Sequence, residues 1–338
     1  MATANKTAKK PSSKGKRSRS SAKKLTPANR YLRYELINSG SENTESSHFI
    51  DLARDLSRVN RRLYRQGRDY HVKKITVVST NTFNIGGFSE LGAPLREPAG
   101  FVSASIVHPG WVSQKAWQRA FRTWQTMNHE ASHAVGNDIG GKWSDFKVRL
   151  SDDMRTGTVL SPMDNGGNFW DAGEWTYSKF VTPDGTTGDD EFTAHMIGGH
   201  NGGAGARTSV GLIRSYGESR ATVSPNSPET PNNIKDDPLN NVFDYGTTVD
   251  EVLEDYMEDA DNPPYDLVNY PGGAGNGQKP TVAQHSTLGN DGKCTLAGFT
   301  AMCGLIELET KSPIPNDVFS VLVELAPGSY RGIKADVI

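Results

Sequence analysis

The chain has 338 residues, of which 35% are hydrophobic and 22% charged, with 35 Gly and 18 Pro. This composition supports a packed core, excludes wholesale disorder, and suits a loop-rich β protein better than a helical bundle. The formal net charge of −2 conceals a sharp split. Residues 1–33 hold Lys6, Lys9, Lys10, Lys14, Lys16, Arg17, Arg19, Lys23, Lys24, Arg30 and Arg33, and no acid; the remainder carries 26 cations against 39 acids. No apolar run approaches the ~20 residues of a membrane-spanning helix. The N-terminus lacks the apolar stretch of a secretory signal. Two cysteines, Cys294 and Cys303, exclude a disulfide-rich scaffold and a Cys-only zinc site within one chain, and reduced thiols in an intracellular setting are expected.

The basic segment, 1–33, is rich in Lys, Arg, Ser, Ala, Thr and Pro and has no aromatic residue before Tyr31. It cannot bury enough apolar surface to offset its ordering entropy, so a disordered arm is expected. Its eleven cations are candidate nucleic-acid ligands that bind phosphates by counterion release without reading sequence. The cluster Lys14-Gly15-Lys16-Arg17-Ser18-Arg19 also fits a nuclear-import signal, while a solubilising tail is the plainer reading.

Residues 34–47 read as a linker or the start of the folded part. The spacing of Phe49, Ala53, Leu56, Val59 and Leu63 predicts a helix from about His48 to Gln66, decorated by Arg54, Arg58, Arg61, Arg62, Arg65 and Arg68. Such a helix beside the arm would either line the same anionic surface or carry a solvated face with local ion pairs. Period-two patterns then predict strands at His71–Thr80, Phe101–His108 and Ser144–Leu150, the last with Phe146, Val148 and Leu150 inward and Asp145, Lys147 and Arg149 outward. Further strands are expected at Trp175–Val181, Phe192–Ile197, Leu296–Leu308 and Val318–Leu325. The last is apolar on nearly both faces and belongs in the middle of a packed sheet. Helices are expected at Trp111–His133, with Trp117, Phe121 and Trp124 as a core stripe, and at Thr248–Met257 behind a capping box. Long loops are expected at 197–207, 224–241 and 262–290, and no internal repeat is found. Dispersed strands without βαβ alternation predict an all-β fold: an antiparallel jelly-roll sandwich with inserted helices and long loops. The shell domain would span 34–338, with 197–290 the place for a projecting insertion.

Chemical motifs are few. His129-Glu130-Ala131-Ser132-His133 matches H-E-x-x-H, which places two His on one helical face for zinc with Glu130 to polarise a bound water. A metzincin would need a third His where this chain has Ile139, and neither Glu174 nor Glu191 lies on a following helix. Two polar residues closing an amphipathic helix is the simpler reading. Gly198–Gly205 lacks the G-x-x-x-x-G-K-[ST] pattern of a phosphate loop, and no G-x-S-x-G frames a nucleophile. Asp152-Asp153 and Asp189-Asp190-Glu191 offer oxygen ligands for a structural Ca²⁺ but lack EF-hand spacing, so solvated loop charge is favoured. No other cofactor is expected.

The stretches Arg30-Tyr31-Leu32-Arg33-Tyr34-Glu35-Leu36, Asp51-Leu52-Ala53-Arg54-Asp55-Leu56-Ser57 and Asn60-Arg61-Arg62-Leu63-Tyr64-Arg65-Gln66-Gly67 resemble capsid proteins of Rep-encoding circular single-stranded DNA viruses, the bacilladnavirus-like group in particular. The helix bearing Lys115-Ala116-Trp117, Phe121-Arg122, Trp124-Gln125 and Met127-Asn128 shares the likeness, as does the terminal strand. The resemblance implies a non-enzymatic coat protein with one jelly roll. Copies would form an icosahedral homo-oligomer around single-stranded DNA held by the arm, in the virion and, during assembly, in the host nucleus. No membrane partner is implied. A zinc-dependent hydrolase built on His129, Glu130 and His133 is the alternative.

Overall fold

The computed structural model describes residues 27–79, 100–135, 143–181, 191–202, 207–220, 264–266, 269–289 and 292–338. The arm cations Lys6 to Lys24, the helix expected at Thr248–Met257, the loop 224–241 and the pair Asp189-Asp190 lie outside them.

The described chain is mostly β. In order it forms β1 (Tyr31–Ile37), β2 (Glu45–Asp51), α1 (Leu52–Asn60), β3 (Arg68–Ser79), β4 (Phe101–Ile106) and α2 (Trp111–Val135). Next come β5 (Arg149–Ser151), α3 (Asp153–Thr156), β6 (Thr158–Val159), β7 (Lys179–Val181), β8 (Glu191–Ile197), β9 (Ser209–Gly211) and α4 (Leu212–Glu218). The C-terminal part holds β10 (Thr281–Thr287), β11 (Lys293–Leu296), β12 (Phe299–Met302), β13 (Leu305–Lys311), β14 (Val318–Leu325), β15 (Pro327–Gly328), β16 (Gly332–Ile333) and β17 (Ala335–Val337).

Two curled, antiparallel sheets dominate. The first runs β1-β14-β3-β11, with β12 beside the other half of β3 and β17 continuing the β14 side. The second runs β10-β4-β13-β2, with the short β6 added in parallel to β2. Alternation along the strands fixes which residues the two sheets share. Leu32, Tyr34 and Leu36 of β1, Val72, Ile75 and Val77 of β3, and Phe319, Val321, Val323 and Leu325 of β14 meet Ile50, Val102, Ala104, Ile106, Ile306 and Leu308 from the second sheet in one core. Strand β14 begins and ends where its pattern predicts, and it lies between β1 and β3.

The segment between β4 and β10 builds a third layer. Its small sheet, β5-β8-β7 with β9 beside β8, packs with α2 and α4 around Trp117, Phe146, Val148, Leu150, Met196 and Ile213. Phe49 and Leu305, from the outer face of the second sheet, join this second core. One face of the second sheet is thereby covered. The Trp117–Phe121–Trp124 stripe of α2 does pack here: Trp117 stacks on Phe121 at 5.1 Å and tilts onto Phe146 at 5.6 Å.

Several elements differ from the sequence expectation for identifiable reasons. Of the two readings of 34–47, the structure has the start of the folded part and not a linker: the stretch contains most of β1 and the start of β2. Arg33 belongs to β1 and not to the arm: its carbonyl accepts from Met163 N–H at 2.8 Å. The helix expected from His48 starts only at Leu52, because Phe49 and Ile50 fill cores on opposite faces of a strand and Asp51 serves as N-cap, accepting from Arg54 N–H at 3.0 Å. It ends early because Arg61 is left-handed, at φ 53°. The expected strand 144–150 is strand only at Arg149 and Leu150, the start of β5. Its supposedly outward Asp145 and Lys147 are buried, 8% and 7% exposed. Trp175–Val181 is strand only from Lys179, and the loop expected over 262–290 contains β10.

The long strand expected at 296–308 is three elements. Gly298 breaks it first, since a Cβ there would stand 2.8 Å from the Lys73 carbonyl. The second break hands the chain from one sheet to the other between β12 and β13. There Cys303 (φ 59°) and Gly304 (φ 71°) are both left-handed, and the Gly304 carbonyl accepts from Leu52 N–H at 2.9 Å. A Cβ on Gly304 would lie 3.0 Å from the Tyr70 ring and 3.1 Å from Leu52 Cβ. Gly304→Ala is therefore expected to lower stability by about 1–3 kcal/mol, read as a fall in the urea midpoint at constant slope; an unmoved midpoint contradicts the tightness assigned to this crossing.

Candidate nucleic-acid interface

The site is built where the arm meets the folded body. The chain enters β1 through Pro27–Arg30, and its last residues are tied to the C-terminal end of α1. Asn29 N–H donates to Asn60 Oδ1 at 2.7 Å, Asn60 Nδ2 donates back to the Asn29 carbonyl at 3.1 Å, and Arg62 Nη1 donates to the Pro27 carbonyl at 3.3 Å. Helix α1 thus brings its arginines to the root of the arm, and their position at a helix C-terminus suits their charge.

The six arginines divide by what they touch. Arg54 is buried, forming an ion pair with Asp55 at 2.8 Å and donating to the Leu160 carbonyl. Arg65 reaches Asp145 at 2.9 Å, and Arg68 lies 3.7 Å over the Tyr330 ring. These three hold the fold together. Arg58, Arg61 and Arg62, with Arg54, line a groove of about 230 Å³, together with Trp143, Lys147 and Trp175 and the acids Asp171 and Glu174. Arg61 and Arg62 are exposed, and Trp143 is 62% exposed. Arg58 Nη1 donates to Ser161 Oγ at 3.2 Å; burial, then the nearby Arg54 charge, push its pKa down. The Lys147 ammonium stands 4.8 Å over the Trp175 ring, and burial lowers its pKa as well.

A buried carboxylate holds one wall of the groove, through Trp175. Asp51 Oδ2 accepts from Gln66 Nε2 at 2.8 Å, from Trp175 Nε1 at 3.0 Å and from the Tyr177 hydroxyl at 3.4 Å, while Oδ1 caps α1. Gln66 Oε1 in turn accepts from Val148 N–H at 2.7 Å. Asp55, one turn along, accepts from the Tyr34 hydroxyl at 2.8 Å. Burial raises the Asp51 carboxyl and pushes Asp55 up to about 6, against the lowering pull of Arg54.

The remaining sequence candidates are placed as follows. Arg33 Nη1 donates at 3.4 Å to the carbonyls of Asp164 and Asn165, so it fastens a loop. Arg30 precedes β1, its carbonyl accepting from Leu325 N–H at 2.9 Å. His129 and His133 are exposed on the last turns of α2, ring centroids 5.9 Å apart. Among the described residues no group of three or more His, Cys, Asp and Glu side chains is placed to hold a metal. Asp152 is engaged by Arg155 at 3.0 Å and by Asn201, and Asp153 by Lys279. Cys294 and Cys303 are buried free thiols. His195, which carried no assignment from sequence, is buried between Ser209 Oγ at 2.7 Å and the Gly199 carbonyl at 2.9 Å, fastening the start of the Gly-rich loop. Trp143 and Trp175 were equally unmarked, because no local spacing links either of them to residues 58–62.

The raised Asp55 carboxyl has a defined consequence. The stability it contributes is complete below its unfolded value near pH 4 and is lost as pH rises through about 6. The wild-type chain is therefore expected to gain on an Asp55→Asn variant as pH falls from about 7 to 4, measured as the difference between their urea midpoints; a difference that is flat across that range contradicts the burial argument.

No family profile, curated protein or solved structure matches this chain.

Proposed function

We propose that this chain is the coat subunit of a small virus, forming a closed icosahedral shell and packaging single-stranded DNA through its basic arm. The observation that carries the reading is the strand order. Counted along the chain with β11 and β12 taken as one column, eight principal strands fall into two sheets in the order first-eighth-third-sixth and second-seventh-fourth-fifth. We read that order as a double-sheet jelly roll, an architecture of viral capsid and lectin domains and of cupins. The arm separates these uses. A lectin or cupin has no need of ten cations ahead of its first strand, whereas a shell that condenses a phosphate polymer requires them.

The division of charge supports the same reading. An acidic body tiles with copies of itself through repeated interfaces, and the arm binds polyanion without sequence preference. The choice of DNA over RNA, the virion and the passage through the host nucleus follow from the resemblance in the arm-proximal and α2 segments. The zinc-hydrolase alternative gains no support from the exposed His129 and His133.

Negative-stain microscopy of the expressed chain is expected to show closed particles containing nucleic acid. Deleting residues 2–24 is expected to leave particles with a reduced ratio of absorbance at 260 to 280 nm. A subunit that stays monomeric in every buffer, or particles that package normally without the arm, would overturn the proposal.

A further inference from the structure

We infer that the groove at the root of the arm is a nucleotide pocket, which holds one unstacked base of a single-stranded nucleic acid against tryptophan while arginines take its phosphate. The inference rests on the packaging reading only for the identity of the polymer; the pocket itself stands on its lining.

Three features point to this ligand. The first is size and shape: a cleft of about 230 Å³ is below the ~300–1,000 Å³ of pockets that enclose larger ligands, and matches one planar ring system. The second is the pairing of chemistries. Trp143 offers an exposed indole and Trp175 a half-buried one, and base–aromatic stacking is how single strands are gripped without sequence preference. Trp175 is fixed as a wall by its bond to Asp51 and by Lys147 over one face, which leaves the exposed Trp143 as the stacking face. The third is the cationic lining. Arg58, which donates from Nη1 to Ser161, lines the cleft beside Arg54, and guanidinium groups take phosphate oxygens through charge-assisted bonds. Arg61 and Arg62 extend the cationic rim toward the arm.

Asp171 and Glu174 on the lining do not favour a diffuse polyanion surface. They confine the phosphate to the arginine side and present acceptors to a base N–H group. A duplex keeps its bases stacked inside, so it can use the arginines but not the indoles. The pocket should therefore add a preference for single strands that the arm alone cannot supply.

The test compares a labelled oligothymidylate with a duplex of equal length, by fluorescence anisotropy on the full chain. Trp143→Ala is expected to weaken single-strand binding by about 5- to 100-fold while duplex binding stays within about twofold. Trp143→Phe, which keeps a stacking face, is expected to restore most of it. Arg61→Gln with Arg62→Gln is expected to reduce the salt slope by about one to two units. Equal losses for both forms in Trp143→Ala, or none, would overturn the pocket. An arm variant with Lys14, Lys16, Arg17, Arg19, Lys23 and Lys24 changed to Gln separates the two proposals. It should weaken both forms together and keep their ratio, whereas a collapsed ratio would assign the preference to the arm and overturn the pocket. If that variant binds both forms as the parent does, the packaging role of the arm fails while the ratio still reports on the pocket.

Discussion

The structure around the arm depends on one buried carboxylate. Asp51 ends β2, caps α1, and collects donors from Gln66, Trp175 and Tyr177. A buried acid of this kind is tolerable only when its lone pairs are filled, and the residues that fill them come from three separate parts of the chain. Through Gln66 the bond reaches Val148, which lies in the second core. Through Trp175 it reaches the loop that walls the groove. The corner where strand turns into helix, the third layer and the groove are thus fastened at one point, and loss of that carboxylate would loosen all three.

Much of the framework was legible because it follows simple periodicity. The alternation over Val318–Leu325 located β14 to the residue, and its two apolar faces correctly placed it inside a sheet. The α2 pattern and the β8 run were equally readable. Harder cases had both faces buried. Phe49 falls in helical step with Ala53 and Leu56 although it lies on a strand, where it and Ile50 enter different cores, and the Ser- and Glu-rich start of β2 carries no apolar alternation. Gly298 and Gly304 interrupt an apolar run that periodicity alone reads as one strand.

The site was legible in part. The basic helix and the arm were recognised as neighbours in sequence, and the bonds between Asn29 and Asn60 make them neighbours in space. The two tryptophans were invisible, since Trp143 and Trp175 reach the groove only through long-range folding. Asp145 and Lys147 misled for a related reason. Charged residues are rarely buried unless paired, and their partners, Arg65 and the Trp175 ring, lie far away along the chain.

The pairing of the first strand with one near the C-terminus has a kinetic consequence. Tyr31 faces Glu324 across the β1–β14 ladder, 293 residues away. Contacts of such separation form late and slow the folding of β proteins, and a chain emerging from the ribosome exposes its N-terminus first. Strand β1 must therefore wait, unpaired, until the last strands are synthesised. The two-sheet core thus closes only after nearly the whole chain has been made.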